Sequence, residues 1–261
     1  MSGLSVAGVS KNFDIDGRRF EALSNIDLSL DAGAFGALIG PSGCGKSTLL
    51  RLVADIMPPT EGTIAIGGLP PSRARKEHHI GFVFQDATLL PWRTVLENVR
   101  LPLEVAGAKA APGNATPLDL IKLVGLSGFE HAKPAQLSGG MQQRVAIARA
   151  LVLSPRILLL DEPFGALDEI SRHRMNLELL RIWAETRTTA LMVTHSIQEA
   201  VFMADKIYVL AARPGRIVDT VEVEIERPRR LSQMNAPAFG SAVERVRASL
   251  FGDRLGMLND E

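Results

Sequence analysis

Eight residues, Gly40-Pro41-Ser42-Gly43-Cys44-Gly45-Lys46-Ser47, have the types and spacing of a loop that wraps phosphate. Its glycines let backbone N–H groups converge on an anion without side chains in the way. Lys46 supplies a cation for terminal phosphate oxygens, and the Ser47 hydroxyl a ligand for Mg²⁺. Farther along, Ile157-Leu158-Leu159-Leu160 runs into Asp161-Glu162. Carboxylates that end a buried strand stand where open α/β sheets bind ligands. Asp161 can hold Mg²⁺ through water, and Glu162 can polarise a water for in-line attack on phosphorus. Without the loop at 40–47, the pair would read as the acidic start of a surface loop.

Two more strand-end residues fit the same chemistry. His195 follows the apolar run 190–193 and precedes a helix start marked by Ser196 and Glu199, a placement suited to a γ-phosphate contact. The remaining histidines, His78, His79, His131 and His173, read as surface or packing residues. Gln85 ends the run 80–84 and could touch Mg²⁺ or the attacking water; taken alone it is a polar strand terminus. The stretch Leu137-Ser138-Gly139-Gly140-Met141-Gln142-Gln143-Arg144 has two local readings. Ser138 caps a helix running to about residue 153, and the glycines either leave its first amides open to a second anion or merely follow a turn. Cys44 contributes its backbone and has no redox role. Phe13 either stacks on adenine or packs near a strand end.

These residues need a scaffold, and hydrophobic periodicity supplies it. Ile26, Leu28 and Leu30 alternate with polar neighbours as in a half-buried strand. Runs at 35–39, 63–66, 80–84, 156–160, 190–193 and 207–210 read as further strands, and 46–54 as the helix behind the phosphate loop. Ile170, Leu177, Leu180 and Trp183 mark one amphipathic helix; Phe239, Val243, Val246 and Leu250 mark another. Between residues 86 and 155 the texture is helical, with capping patterns at Thr94/Glu97 and at Thr116/Asp119, where Pro117 takes the first helical position. Alternating strands and helices predict a mostly parallel sheet covered on both faces. Residues 86–155 are expected as an inserted helical subdomain, and Arg227-Pro228-Arg229-Arg230 as a linker.

Composition narrows the classes. Lys plus Arg equals Asp plus Glu at 29 each among 261 residues, so net charge carries no nucleic-acid or membrane-surface signal. No apolar run approaches the ~20 residues that span a bilayer, and the first residues show no signal-peptide pattern. One cysteine excludes an intramolecular disulfide and fits a reducing compartment. A cytoplasmic protein is expected.

Taken together, and over about residues 4–225, these motifs resemble the ATP-binding subunit of ABC transporters. The Walker A loop is 40–47, the Walker B segment 157–161 with Glu162 at the catalytic-glutamate position, and the signature 137–141. Gln85 matches the Q-loop, Ala166-Leu167-Asp168 the D-loop, His195 the switch histidine and Phe13 the adenine-stacking aromatic. Three stretches are similar to the importer branch for nitrate, sulfonate, taurine, bicarbonate and pyrimidine-type thiamine precursors. They are Leu89-Leu90-Pro91-Trp92-Arg93-Thr94-Val95, Asn176-Leu177-Glu178-Leu179-Leu180-Arg181-Ile182-Trp183 and Arg213-Pro214-Gly215-Arg216. Two positions depart from the family: Met141 stands where glutamine is commonest, and Asp55 replaces a glycine common after the Walker A helix.

The resemblance implies an α/β fold: a P-loop NTPase, RecA-like core with an N-terminal antiparallel β subdomain and an inserted α-helical signature subdomain. The ATPase domain would span 1–226, with 86–155 inserted, and 227–261 would form a C-terminal linker and short helix. It implies ATP and Mg²⁺ as cofactors, with Gly40, Pro41, Ser42, Gly43, Cys44, Gly45, Lys46, Ser47 and Thr48 around the nucleotide. It also implies a head-to-tail dimer in which Ser138, Gly139 and Gly140 of one copy complete the site of the other. Ser47, Gln85 and Asp161 would hold the metal; Glu162, His195 and Gln85 would be catalytic. The chain would lie on the cytoplasmic face of the membrane, on permease subunits served by an extracytoplasmic solute-binding protein, with no nucleic acid. Residues 87–95 are the candidate docking surface, or else core packing of the helical region. Two rival classes are a non-transport ABC ATPase acting on nucleic acid or the ribosome, and a small-molecule kinase. The first would call for a coiled-coil insertion, zinc cysteines or a second cassette; the second would leave the Leu-Ser-Gly-Gly stretch without a role.

Overall fold

A computed structural model describes residues 2–107 and 115–252; the end of the expected C-terminal segment, 253–261, lies outside the described residues. In chain order the strands are β1 (Ser2–Ile15), β2 (Arg18–Asp31), β3 (Phe35–Ile39), β4 (Glu61–Ile66), β5 (Ile80–Val83), β6 (Ile157–Asp161), β7 (Thr189–Val193), β8 (Lys206–Ala211) and β9 (Arg216–Glu222). The helices are α1 (Lys46–Val53), α2 (Pro71–Lys76), α3 (Val95–Ala106), α4 (Pro117–Leu123), α5 (Gly139–Leu151), α6 (Glu169–Thr186), α7 (Ile197–Met203) and α8 (Pro237–Phe251).

Two sheets form. The smaller is antiparallel, in the order β2-β1-β4; the larger runs β5-β6-β7-β3-β8-β9, parallel except for β9 at its edge. Strands β3, β6 and β7 are buried at every residue, as expected where helices cover both faces. Their alternating side chains feed two cores. Phe35, Ala37 and Ile39 face the core shared with α3–α8, while Leu38 faces the one built from α1 and the antiparallel sheet. The long outer strand β2 shows the alternation expected of a half-buried strand, with Ile26, Leu28 and Leu30 inside.

The helical segments between β5 and β6 start where their caps predict. Thr94 and Glu97 close a reciprocal capping box on α3, and Thr116 and Asp119 do the same on α4. Two expectations are corrected. On α6 the buried stripe is Met175, Leu179, Leu180 and Ile182, while Ile170 is 69% exposed at the first turn. The segment 227–230 is anchored rather than loose. Arg227 pairs with Asp205 at 2.7 Å and lies over the Trp183 ring, and Arg229 is buried with its guanidinium on the Ala204 carbonyl. Past it, α8 packs on α7, β8 and β9 through Phe239, Val243 and Val246, and Ser249 bonds Asp219 at 2.6 Å.

Candidate active site

The 40–47 loop joins the carboxyl end of β3 to the amino end of α1. Gly43 and Gly45 take left-handed φ values of 75° and 95°. A Cβ on Gly45 would stand 2.5 Å from Leu23 Cδ2, so this turn tolerates only glycine there. Lys46 is 7% exposed, and its ammonium rests on neutral groups: the Gly40 carbonyl at 2.7 Å, the Pro41 carbonyl at 3.0 Å and Cys44 Sγ at 3.8 Å. A buried cation held only by neutral acceptors is ready for an anion. The Cys44 thiol is pushed up by burial, which outweighs the pull of Lys46, and so stays protonated.

From the first turn of α1, Ser47 Oγ donates to Asp161 Oδ1 at 2.8 Å, at the end of β6. Burial raises the Asp161 carboxyl above its ordinary range although the Ser47 hydroxyl bond and Arg51 oppose the shift. A carboxylate short of compensating charge beside a hydroxyl is a cation's seat. Among the described residues no group of three or more His, Cys, Asp or Glu could hold a metal. Mg²⁺ does not require one, since it takes one or two protein oxygens and fills its octahedron with water and phosphate. The residues present therefore fit Mg²⁺ bound with a nucleotide.

Glu162 takes φ 45°, an uncommon conformation for a non-glycine residue and one that concentrates at working sites. Its N–H is tied to the Val193 carbonyl of the neighbouring strand at 3.1 Å. Its Oε2 lies 3.3 Å from His195 Nδ1, just beyond β7. The ends of β6 and β7 thus bring carboxylate and imidazole together. Gln85 is exposed two residues beyond β5, which pairs with β6 in register Val83 to Leu160. It therefore lies on the same sheet edge as Asp161. Phe13 is half-buried at the far end of β1, with the Lys11 ammonium 5.2 Å above its ring.

Ser138 caps α5, its Oγ accepting from Met141 N at 3.3 Å. Beside this helix start lies a cavity of about 650 Å³ whose walls include Ser138, Gly140, Met141, Leu167 and Asp168. Among its described walls are none of residues 40–47. Two braces in α5 escaped sequence reading. Gln143, 5% exposed, donates to the Phe84 carbonyl next to Gln85, and Arg149 grips the Ala87 and Thr88 carbonyls at 2.7 and 2.9 Å. Asn98, fully buried, binds Leu90, Arg93 and Thr94 backbone groups and shapes the turn that leaves Trp92 68% exposed. None of the three carries a local signal in the sequence, because each acts on backbone groups of another segment or turn.

Comparison with known proteins identifies the family. The family described as ABC transporter matches residues 23–165. A taurine import ATP-binding protein of Yersinia pestis bv. Antiqua is 46% identical over 202 residues, 77% of this chain and 78% of its own. An aliphatic sulfonates import ATP-binding protein of Bacillus cereus is 43% identical over 226 residues, 87% of this chain and 88% of its own. Among solved structures, a dimeric ATP-binding cassette in a post-hydrolysis state with ADP and phosphate superposes with a TM-score of 0.73. It is 34% identical and covers 85% of this chain and all of its own. With the family model matched over more than half of its length and relatives above 40% identity, the chain belongs to the ABC transporter family as one of its ATP-hydrolysing members.

Proposed function

We propose that this chain energises an importer for a small solute of the taurine or sulfonate kind, working as a head-to-tail pair. The observation that carries the composite site is the placement of the α5 amides. They open beside Leu167 and Asp168, onto a cavity whose described walls include no residue of the chain's own phosphate loop. A second copy would bring its loop and nucleotide to them. Lys46 then leaves the Gly40 and Pro41 carbonyls for phosphate oxygens. Ser47, Asp161 and Gln85 would hold Mg²⁺, which when bound would draw charge from those oxygens. Glu162 accepts the proton of the attacking water, and His195 keeps that carboxylate in place. Phe13 stacks on adenine, and Thr48 follows Ser47 along the nucleotide.

Among the described residues no helix is long and apolar enough to cross a membrane; the permease subunits that would carry the solute are proposed from the likeness to import ATP-binding proteins. Residues 87–95 are the docking surface proposed here, supported by the exposure of Trp92 and by the bracing of that loop from α5. Through these braces, closure of the α5 amides on a partner moves Gln85 and the permease contact together. The proposed domains are 1–226 and 227–261, the second packed on the first through α8. A solute-binding protein on the far side of the membrane completes the system. The test is to purify the chain with its membrane partners and measure ATP hydrolysis with candidate solutes and their binding protein. Stimulation by a sulfonate-type solute is expected; stimulation by nucleic acid or ribosomes instead would overturn the transport reading.

A further inference from the structure

Between α6, α7 and the chain near Met234 lies a polar cavity of about 130 Å³. Three side chains in its walls carry buried polar atoms with no hydrogen-bond partner among the described residues: Arg172 Nε, Asn176 Oδ1 and Glu199 Oε1. Asn176 is 1% exposed and Glu199 9%, so bulk solvent does not serve them. Buried donors and acceptors of this kind find partners in native proteins, and a space of this size suits a few water molecules rather than a metabolite.

The same residues reach out of the cavity toward the site. Arg172 donates through its terminal nitrogen to the Leu167 carbonyl at 2.8 Å, in the turn before α6. Glu199 Oε2 accepts a hydrogen bond from the Thr194 hydroxyl. That hydroxyl oxygen accepts from Ser196 N at 3.0 Å, and Glu199 N returns to Ser196 Oγ at 3.3 Å. The residues on both sides of His195 are thus tied to one buried carboxylate.

We propose that ordered water in this cavity joins Arg172 to Glu199, and that Glu199 is a positioning residue that sets His195 against Glu162. Contact of a second copy with the turn at 166–168 is then transmitted to the histidine through Arg172, water, Glu199 and Thr194. The inference rests on the composite site proposed above, which places both His195 and that turn at the nucleotide.

Steady-state ATP hydrolysis by the full chain tests it, with Glu199→Ala, Glu199→Gln, Arg172→Met and the Glu199→Ala/Arg172→Met double variant. Glu199→Ala is expected to lower kcat ~10-fold or more with KM for ATP within about twofold, and Glu199→Gln to recover most of it. The double variant should be no worse than the worse single, as for residues acting in one chain of contacts. Losses that multiply, an unchanged kcat, or a loss confined to KM would overturn the relay. If Glu199→Ala does not fold, Thr194→Val takes its place, and full activity in that variant is equally fatal. The underlying composite site is checked separately: hydrolysis lost in Ser138→Arg with ATP still bound upholds it whatever the relay variants do, and hydrolysis retained there removes it.

Discussion

Gly139 and Gly140 are the most economical test of whether the α5 start serves another molecule. Both have ordinary helical backbone at the first turn, and neither has a positive φ. A Cβ on Gly139 would meet Leu167 Cδ2 at 4.0 Å, and one on Gly140 would meet Met175 Sδ at 3.9 Å, both comfortable distances. Gly45 differs, with φ 95° and Leu23 Cδ2 only 2.5 Å from an added Cβ. The fold demands glycine at 45 and has no use for it at 139 or 140. Alanine is favoured over glycine in helices by ~0.5–1 kcal/mol, and the first turn lies at the lower end of that range. The double alanine variant should therefore gain about 1 kcal/mol and melt ~2–4 °C higher. Its turnover should fall, because each methyl stands where a partner's phosphate approaches the amides. Losing one such charge-assisted contact costs ~1.5–3 kcal/mol, or roughly 10- to 150-fold in rate. Nucleotide-free thermal melting and ATP hydrolysis on one preparation read both quantities. A lower Tm would show that the glycines are structural, and wild-type turnover would show that nothing docks on them.

Asp161→Asn should raise the melting temperature of the nucleotide-free chain at neutral pH while abolishing Mg²⁺-dependent turnover. The Asp161 carboxyl is raised chiefly by burial, so its ionisation costs stability. That cost sets in as pH rises from the unfolded-state value through the higher folded one and is fully present above it. The difference between variant and wild type should accordingly vanish in acid, which melting across pH will show; a constant difference would reject the cause given. Phe239→Ala should lose ~3 kcal/mol through the cavity left under α8, with Tm falling by several degrees. An unchanged Tm would mean that α8 is not part of the cooperative fold.

Local signals made much of this legible. The 40–47 loop, the caps at Thr94, Thr116, Ser138 and Ser196, and the buried runs of β3, β6 and β7 each declare themselves within a few residues. What escaped depends on distant partners. Asp55, read only as a departure from glycine, takes φ 57° just past α1 and turns its carboxylate to Arg75 at 2.8 Å. The position asks for a left-handed residue, which aspartate tolerates. Arg227 reads as linker because Asp205 and Trp183, which hold it, are separated from it in sequence. Strand β1 is interrupted by bulges that blur its alternation, and β9, half-exposed at the sheet edge, never develops one. Gln143, Arg149 and Asn98 act on backbone carbonyls, which no sequence pattern specifies.

The central claim is that two copies share each site, one supplying Glu162 and the other Ser138. The most direct measurement is the solution mass with bound-nucleotide content of Glu162→Gln at saturating ATP, with and without Ser138→Arg. Glu162→Gln alone should form a dimer that retains ATP, and the Ser138→Arg double variant should stay monomeric with ATP still bound. A double variant that dimerises, or one that loses ATP as a monomer, would show that the α5 start does not complete a partner's site.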